Sequence, residues 1–390
     1  MITLKESERL KQLPPYLFVE IDRLKREALR SGTDVIDLGV GDPDRPTLAH
    51  IVEALYQSSL DPRNHRYALD AGLPQLRQTI AKWMKARFGV TLDPDEEILP
   101  LIGSKEGIAH MPLAFVNPGD VVLVPDPGYP PYRSAAIFAG GIPYSIPLLE
   151  GNGYFPDLEA VDLQMVRRAK LLYLNYPNNP TAATAEKNDL KRAVDFCLKR
   201  NILICHDAAY SEITYDGYRA PSIFEVEGAR ACAVEFHSLS KTHNMTGWRI
   251  GFAAGDRSFI GALAKVKANI DSGIFQAVQF AGIAALEGGQ EHVDESNRIY
   301  EERRNVLVDG LNRAGWSVPK PKATFYVWAP VPPGYTSNEL AQMLLKKAGV
   351  VTTPGVGFGA HGEGYVRMAL TVSMERLEEA VERIRKMRGS

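Results

Sequence analysis

The chain has 390 residues, 45% of them hydrophobic, which is enough to bury a large core and too long for one core of ordinary size, so two closely associated domains are expected. Its 45 Lys and Arg nearly balance 47 Asp and Glu, and a net charge of −2 excludes a global field for nucleic acid or an anionic membrane. No apolar run reaches transmembrane length, the first residues carry charges where a secretory leader needs an apolar run, and Cys197, Cys205 and Cys232 sit in apolar or helical surroundings, which predicts a cytoplasmic protein whose thiols stay reduced and pack.

Between Tyr16 and Ser31, Phe18, Ile21, Leu24 and Leu29 fall at helical spacing among charges, and Gly32 follows as a stop, which predicts an amphipathic helix. Val35 to Leu38 predicts a short strand entering Gly39-Val40-Gly41-Asp42-Pro43, a turn whose glycines let the backbone approach a ligand. Ile98 to Ile102 runs into Gly103-Ser104-Lys105-Glu106-Gly107 and then a helical pattern. Backbone N–H groups and Ser104 would there form an anion seat at a helix N-terminus.

Val121 to Val124, Leu171 to Leu174, Ile202 to Cys205 and Ala233 to Phe236 read as strands, with helical patterns such as Leu190 to Lys199 between them. Strands apolar on both faces and separated by helices predict an α/β fold, with a mostly parallel sheet covered on both sides. Beyond Gly289 the pattern changes to a charged helix from His292 to Arg313, the strand-like Thr324 to Trp328, a helix from Ser337 to Lys347 and a last one from Met374 to Met387. These predict a smaller α+β domain over 289–390, a large domain over 49–288, and an N-terminal segment, 1–48, packing with the smaller one. Gly355-Val356-Gly357-Phe358-Gly359 imitates a dinucleotide loop, but no helical pattern follows it, and neither a P-loop nor a zinc spacing occurs, so no metal is expected.

Ligands of an open parallel sheet gather beyond the carboxyl ends of its strands, and three of the predicted strands end in polar groups. One leads to Asn178-Asn179-Pro180-Thr181, either an Asx turn or an Asn side chain aimed at the sheet edge. The next ends in Asp207 with Tyr210 after it; the carboxylate either caps a helix or awaits a cation. The third ends in Ser238-Leu239-Ser240-Lys241, with Arg249 beyond a glycine-bearing turn. Taken together, a lysine among hydroxyls, a fixed cation and the anion seat suit pyridoxal phosphate: Lys241 bonds the aldehyde and moves the proton, Asp207 keeps the pyridine nitrogen protonated, Tyr210 and Asn179 bond the ring oxygen, and Ser104, Ser238, Ser240 and Arg249 hold the phosphate. Arg367, alone in a strand-like stretch, either faces solvent or meets a substrate carboxylate.

Asn178-Asn179-Pro180-Thr181, Asp207-Ala208-Ala209-Tyr210, Ser238 to Lys241 with Arg249, and Tyr365-Val366-Arg367 occur in an order and spacing that resembles, over nearly the whole chain, the class I/II aminotransferases, fold type I of the pyridoxal phosphate enzymes. The resemblance implies Lys241 as the Schiff-base lysine, Asp207 as the pyridinium partner and Arg367 as the clamp on the substrate α-carboxylate. It also implies that Gly41 meets that carboxylate through its backbone and that Tyr129 stacks on the ring. Tyr67 would reach the cofactor phosphate of a neighbouring subunit, so a homodimer with shared sites is expected. Within the family, Pro14-Pro15-Tyr16-Leu17-Phe18, Leu38 to Pro43 and Ser272-Gly273-Ile274-Phe275-Gln276 look most like the branch acting on LL-diaminopimelate. That branch transfers an amino group to 2-oxoglutarate in lysine biosynthesis, giving tetrahydrodipicolinate and glutamate. The far ammonium and carboxylate of such a substrate need groups away from Arg367, for which Asp70, Lys105 and Tyr16 are the candidates. The alternatives are transamination of aspartate, alanine or aromatic amino acids, and C–S bond cleavage on the same scaffold.

Overall fold

The computed structural model describes residues 2–13, 17–68 and 70–388 and, of 17–21 and 388, the backbone; Tyr16, an expected substrate contact, lies outside the described residues. Twelve strands are described: β1 Ile36–Asp37, β2 Ile98–Leu101, β3 Val121–Asp126, β4 Ile142–Pro147, β5 Ala169–Asn175, β6 Leu203–Asp207, β7 Ala233–Ser238, β8 Gly251–Gly255, β9 Tyr326–Pro330, β10 Val350–Val351, β11 Thr353–Pro354 and β12 Tyr365–Ala369.

Seven of them make the main sheet in the order β2-β8-β7-β6-β5-β3-β4. The strands from β4 across to β7 are parallel, whereas β8 runs antiparallel to both β7 and β2. Both faces are covered, as the unbroken apolar runs predict. On one side Leu123, Leu172 and Ile204 pack with Leu190, Val194 and Cys197 of helix Lys187–Arg200. On the other, Val122, Tyr173, Val234 and Phe236 pack with Ile108 and Met111 of helix Ser104–Phe115 and with Leu263 of helix Arg257–Ile270. All three cysteines are buried and free.

Two strands of this sheet escape a reading by composition. β8 is Gly-Phe-Ala-Ala-Gly, with no β-branched residue, and its Gly251 lies so close to the His237 carbonyl and the Ser104 nitrogen that a Cβ would collide with both. β4 contains two prolines and survives because it forms the sheet edge, where a missing N–H costs no ladder bond.

The C-terminal region builds an antiparallel sheet in the order β11-β12-β9, and β10 pairs in parallel with β1, Ile36 opposite Val350. Residues near the start of the chain are thus tied to residues near its end. Helices Glu291–Arg313 and Met374–Arg388 bury Leu307, Leu311, Leu377 and Ile384 against Phe325, Val327 and Met368. The helix expected from Ser337 to Lys347 is α-helical over Ser337–Met343 and then widens to a π turn over Leu344–Ala348, closed by Gly349 at φ 65°. No helix among the described residues is long and apolar enough to cross a membrane.

Candidate active site

The carboxyl ends of β5, β6 and β7 open on one cavity of about 310 Å³. Gly41, Ser104, Lys105, Tyr129, Asn179, Asp207, Tyr210, Ser238, Ser240, Lys241, Arg249 and Arg367 all line it. Residues spread over more than 300 positions therefore meet in one hollow, as the sequence reading requires.

Lys241 stands on the short helix Leu239–Thr242 that begins where β7 stops, with the Ser238 hydroxyl accepting the Ser240 N–H at 3.2 Å. Its ammonium donates to the Gly41 carbonyl at 3.1 Å and lies 5.7 Å from the centre of the Phe325 ring. No carboxylate pairs with it among the described residues. It faces the cavity as an amine held by a neutral acceptor.

Asp207, the last residue of β6, is buried. The Tyr132 hydroxyl donates to its Oδ2 at 2.8 Å and the Ala209 N–H to Oδ1 at 3.3 Å. Burial raises its pKa, against the pull of the Tyr132 hydrogen bond. No helix starts here: the chain leaves β6 in a turn, so of the two expected roles the capping one is absent, and Asp207 faces the cavity. What the chain does not bring to this carboxylate, among the described residues, is an ion-pair partner. Tyr132 was not foreseen, because nothing in a helical Pro-Tyr-Arg-Ser-Ala-Ala run marks its hydroxyl as the partner of a residue 75 positions away.

Asn175 fastens two of the strand ends together: its Nδ2 donates to the Asp207 carbonyl and its Oδ1 accepts the Asn179 N–H, both at 2.7 Å. Asn178 folds into an Asx turn that holds the Thr181 N–H and hydroxyl. Asn179 reaches outward instead, and both readings of this segment hold for adjacent residues.

The anion seat forms at the start of helix Ser104–Phe115. Gly103 precedes it at φ 77°, and a Cβ there would run into the Arg249 guanidinium. Burial and the neighbouring Arg249 charge lower the Lys105 pKa. A helix N-terminus, two cations and the hydroxyls of Ser104, Ser238 and Ser240 converge where a dianion would sit. Behind the seat, Glu106 accepts the Ile102 N–H at 2.5 Å and pairs with the fully buried Lys267 at 3.0 Å, which also bonds Asp271 at 2.6 Å. The donor set fits pyridoxal phosphate: a cradle for its phosphate, a buried carboxylate for its ring nitrogen and an amine for its aldehyde.

Arg367 lies in the middle of β12 and is 1% exposed, so it does not face solvent. Its Nη1 donates to Asn179 Oδ1 and its Nη2 to the Gly39 carbonyl, both at 2.8 Å, and its guanidinium lies over the rings of Tyr326 at 4.1 Å and Phe358 at 4.7 Å. Tyr326 also went unforeseen; as an aromatic in an apolar strand it reads as core. Phe358, from the glycine-rich stretch that imitates a dinucleotide loop, is part of the wall behind the guanidinium.

Two expected contacts stand apart from the cavity of this single chain. Tyr67 is 93% exposed, and Asp70 is exposed as well.

A family model described as aminotransferase class I and II matches residues 33–384. The chain is 54% identical over 386 residues to the LL-diaminopimelate aminotransferase of Moorella thermoacetica, covering 99% of each. It is 55% identical over 380 residues to the enzyme of the same name from Desulforudis audaxviator, covering 97% of each. Among solved structures, substrate-bound BacF from Bacillus subtilis superposes with a TM-score of 0.95 at 39% identity, covering 98% of each chain.

Proposed function

The chain belongs to the class I and II aminotransferases, and on that footing we propose that it transfers the amino group of LL-2,6-diaminopimelate to 2-oxoglutarate, yielding tetrahydrodipicolinate and glutamate in lysine biosynthesis. The observation that carries this reading is the full-length similarity to LL-diaminopimelate aminotransferases combined with a cavity that holds Lys105 as a further cation in addition to the Arg367 clamp. Pyridoxal 5'-phosphate, when bound, supplies an electrophilic aldehyde and an electron sink. Lys241 would hold it and carry the proton to and from the substrate α-carbon, since its ammonium already faces the cavity. Asp207 would hold the ring nitrogen protonated, with Tyr210 and Asn179 on the ring oxygen and Tyr129 across the ring face. Ser104, Ser238, Ser240 and Arg249, with Gly103 leaving room, would bind the phosphate. Arg367 would take the α-carboxylate in a bidentate bond, together with the Gly41 backbone.

The exposure of Tyr67 and Asp70 supports a homodimer in which each copy lends these residues to the other's cavity, Tyr67 to the cofactor phosphate and Asp70 to the far end of the substrate. The β1 to β10 pairing supports a small domain of 289–390 with 1–48 packed on it, beside a large domain of 49–288. Buried free thiols suit a reducing cytoplasm.

A donor panel tests the reading. LL-diaminopimelate alone should change the visible band of the cofactor-loaded protein stoichiometrically, and 2-oxoglutarate should restore it. Lys241→Ala should abolish band and exchange together. Comparable rates with aspartate, alanine or an aromatic amino acid would discard the diaminopimelate assignment, and release of pyruvate and thiol from cystathionine would replace transamination by C–S cleavage.

A further inference from the structure

Tyr326 stands where three parts of the cavity meet. Its ring lies under the Arg367 guanidinium, its hydroxyl is 3.1 Å from that of Tyr210, and a Cβ on Gly41 would collide with the same hydroxyl. Gly41 in turn receives the Lys241 ammonium. Tyr326 is 3% exposed and belongs to an apolar cluster, where phenylalanine would fill almost the same space. A buried hydroxyl is unfavourable without a partner, and its partner here is Tyr210.

The backbone is committed to this placement. Thr324, two residues earlier, is fully buried and β-branched, yet holds φ 64°. Its N–H bonds the Ile213 carbonyl at 2.9 Å, its carbonyl accepts the Tyr215 hydroxyl at 2.5 Å, and its own hydroxyl accepts the Tyr326 N–H at 3.0 Å. Such a conformation persists where the surroundings over-determine it, and it clusters at functional sites.

We propose that Tyr326 is a positioning residue that couples the two ends of the reaction site, its ring holding the Arg367 guanidinium in plane for the substrate carboxylate and its hydroxyl donating to Tyr210. A Tyr210 oxygen that accepts this bond leaves its own O–H free for the cofactor ring oxygen, and a chain of hydrogen bonds strengthens each member. The inference rests on the reading of the cavity as a pyridoxal phosphate site with Arg367 as clamp.

The two roles separate by substitution. Tyr326→Phe keeps the ring and removes the donor; Tyr326→Leu removes both. In the cofactor-loaded protein, calorimetric affinity for 2-oxoglutarate alone, which brings the carboxylate without turnover, should stay within about twofold for the phenylalanine variant and fall by about thirtyfold for the leucine variant, the size of a desolvated cation–π contact. For the phenylalanine variant kcat should fall roughly fivefold, the size of one hydrogen bond, and the pH at which the visible band changes should move upward. Adding Tyr326→Phe to Tyr210→Phe should then cost little more than Tyr210→Phe alone.

Additive losses in that pair, or a phenylalanine variant identical to the parent in kcat and band, overturn the hydroxyl role; equal 2-oxoglutarate affinities for the two Tyr326 variants overturn the ring role. Thermal unfolding of the cofactor-free proteins separates a misfolded leucine variant from a repositioned one, and the phenylalanine pair decides the coupling without it. A parent protein that shows no visible band and no turnover sinks the site reading and the inference together, whereas a working parent with unaffected variants sinks the inference alone.

Discussion

Replacing Tyr132 by phenylalanine removes one hydroxyl and leaves Asp207 buried with a single backbone N–H donor. Burial already raises the pKa of this carboxyl, and the 2.8 Å bond from Tyr132 opposes that rise. The carboxylate must be ionised to meet a protonated ring nitrogen. For a cofactor that arrives with its ring nitrogen protonated, binding below the pKa of the cofactor-free carboxyl must expel a proton; above it, none. Loss of the hydroxyl moves this break to higher pH. A hydrogen bond to a charged group is worth about 1.5–3 kcal/mol, so affinity for pyridoxal phosphate should fall by about tenfold to a hundredfold at the acid end and converge on the parent's at the alkaline end. Absorbance titration of the dialysed protein with cofactor across about pH 5 to about pH 9 reads this directly, a range over which free pyridoxal phosphate stays available and other carboxylates are ionised. Curves that coincide, or that are offset equally at every pH, would refute the role given to Tyr132.

Lys267→Met strips the cation from Glu106 and Asp271 and should cost about 3 kcal/mol in denaturant unfolding, with much of it regained by adding Glu106→Gln, because an uncompensated buried charge is what destabilises. Glu235 is fully buried; burial pushes its pKa up, but hydrogen bonds from His206 and His237 prevail and hold it below the usual carboxylate range. Its folded pKa being the lower one, its stabilisation is present above the ordinary glutamate value and fades as pH falls below it. Glu235→Gln should therefore be destabilised at neutral pH by about 3 kcal/mol, with the gap to the parent closing in acid on the same denaturant assay. If Tyr67 serves the neighbouring copy, two inactive proteins, Lys241→Ala and Tyr67→Ala, should regain about a quarter of parental activity after subunits are unfolded and refolded together, since half the dimers would carry one intact site of two; no recovery would refute the sharing of Tyr67 between copies, and an active Tyr67→Ala protein would place it outside the site.

Much of the site was legible because Asn179, Asp207 and Lys241 stand at or just beyond the ends of largely apolar strands, and the ends of parallel strands lie together. The anion seat was legible for a similar reason: a strand, a glycine and a serine opening a helix. The hydroxyls of Tyr132 and Tyr326 were not, since a tyrosine in an apolar pattern is read by its ring, and the use of its oxygen depends on a partner 75 or 116 residues away. The alternatives left open by the sequence were decided by contacts rather than by pattern. Arg367 turned inward onto two aromatic rings, and the adjacent Asn178 and Asn179 took opposite roles. In the fold, β8 lacked the branched residues that mark a strand and β4 carried two prolines; close approach explains the first and edge position the second.

The bond from Arg367 to the Gly39 carbonyl joins residues 328 positions apart, while the groups that one chain brings to its own anion seat fall within residues 103–249. The two halves of the site therefore become available at different moments in the life of a growing chain. When the segment through β8 has emerged from the ribosome, every group that faces the phosphate has been made; the carboxylate clamp waits until β12 has been synthesised and paired with β9. A ligand that binds an early-formed unit favours the folded form of that unit by mass action. On the pyridoxal phosphate reading of the cavity, the phosphate cradle of each chain would thus be complete in sequence before the groups that select a substrate.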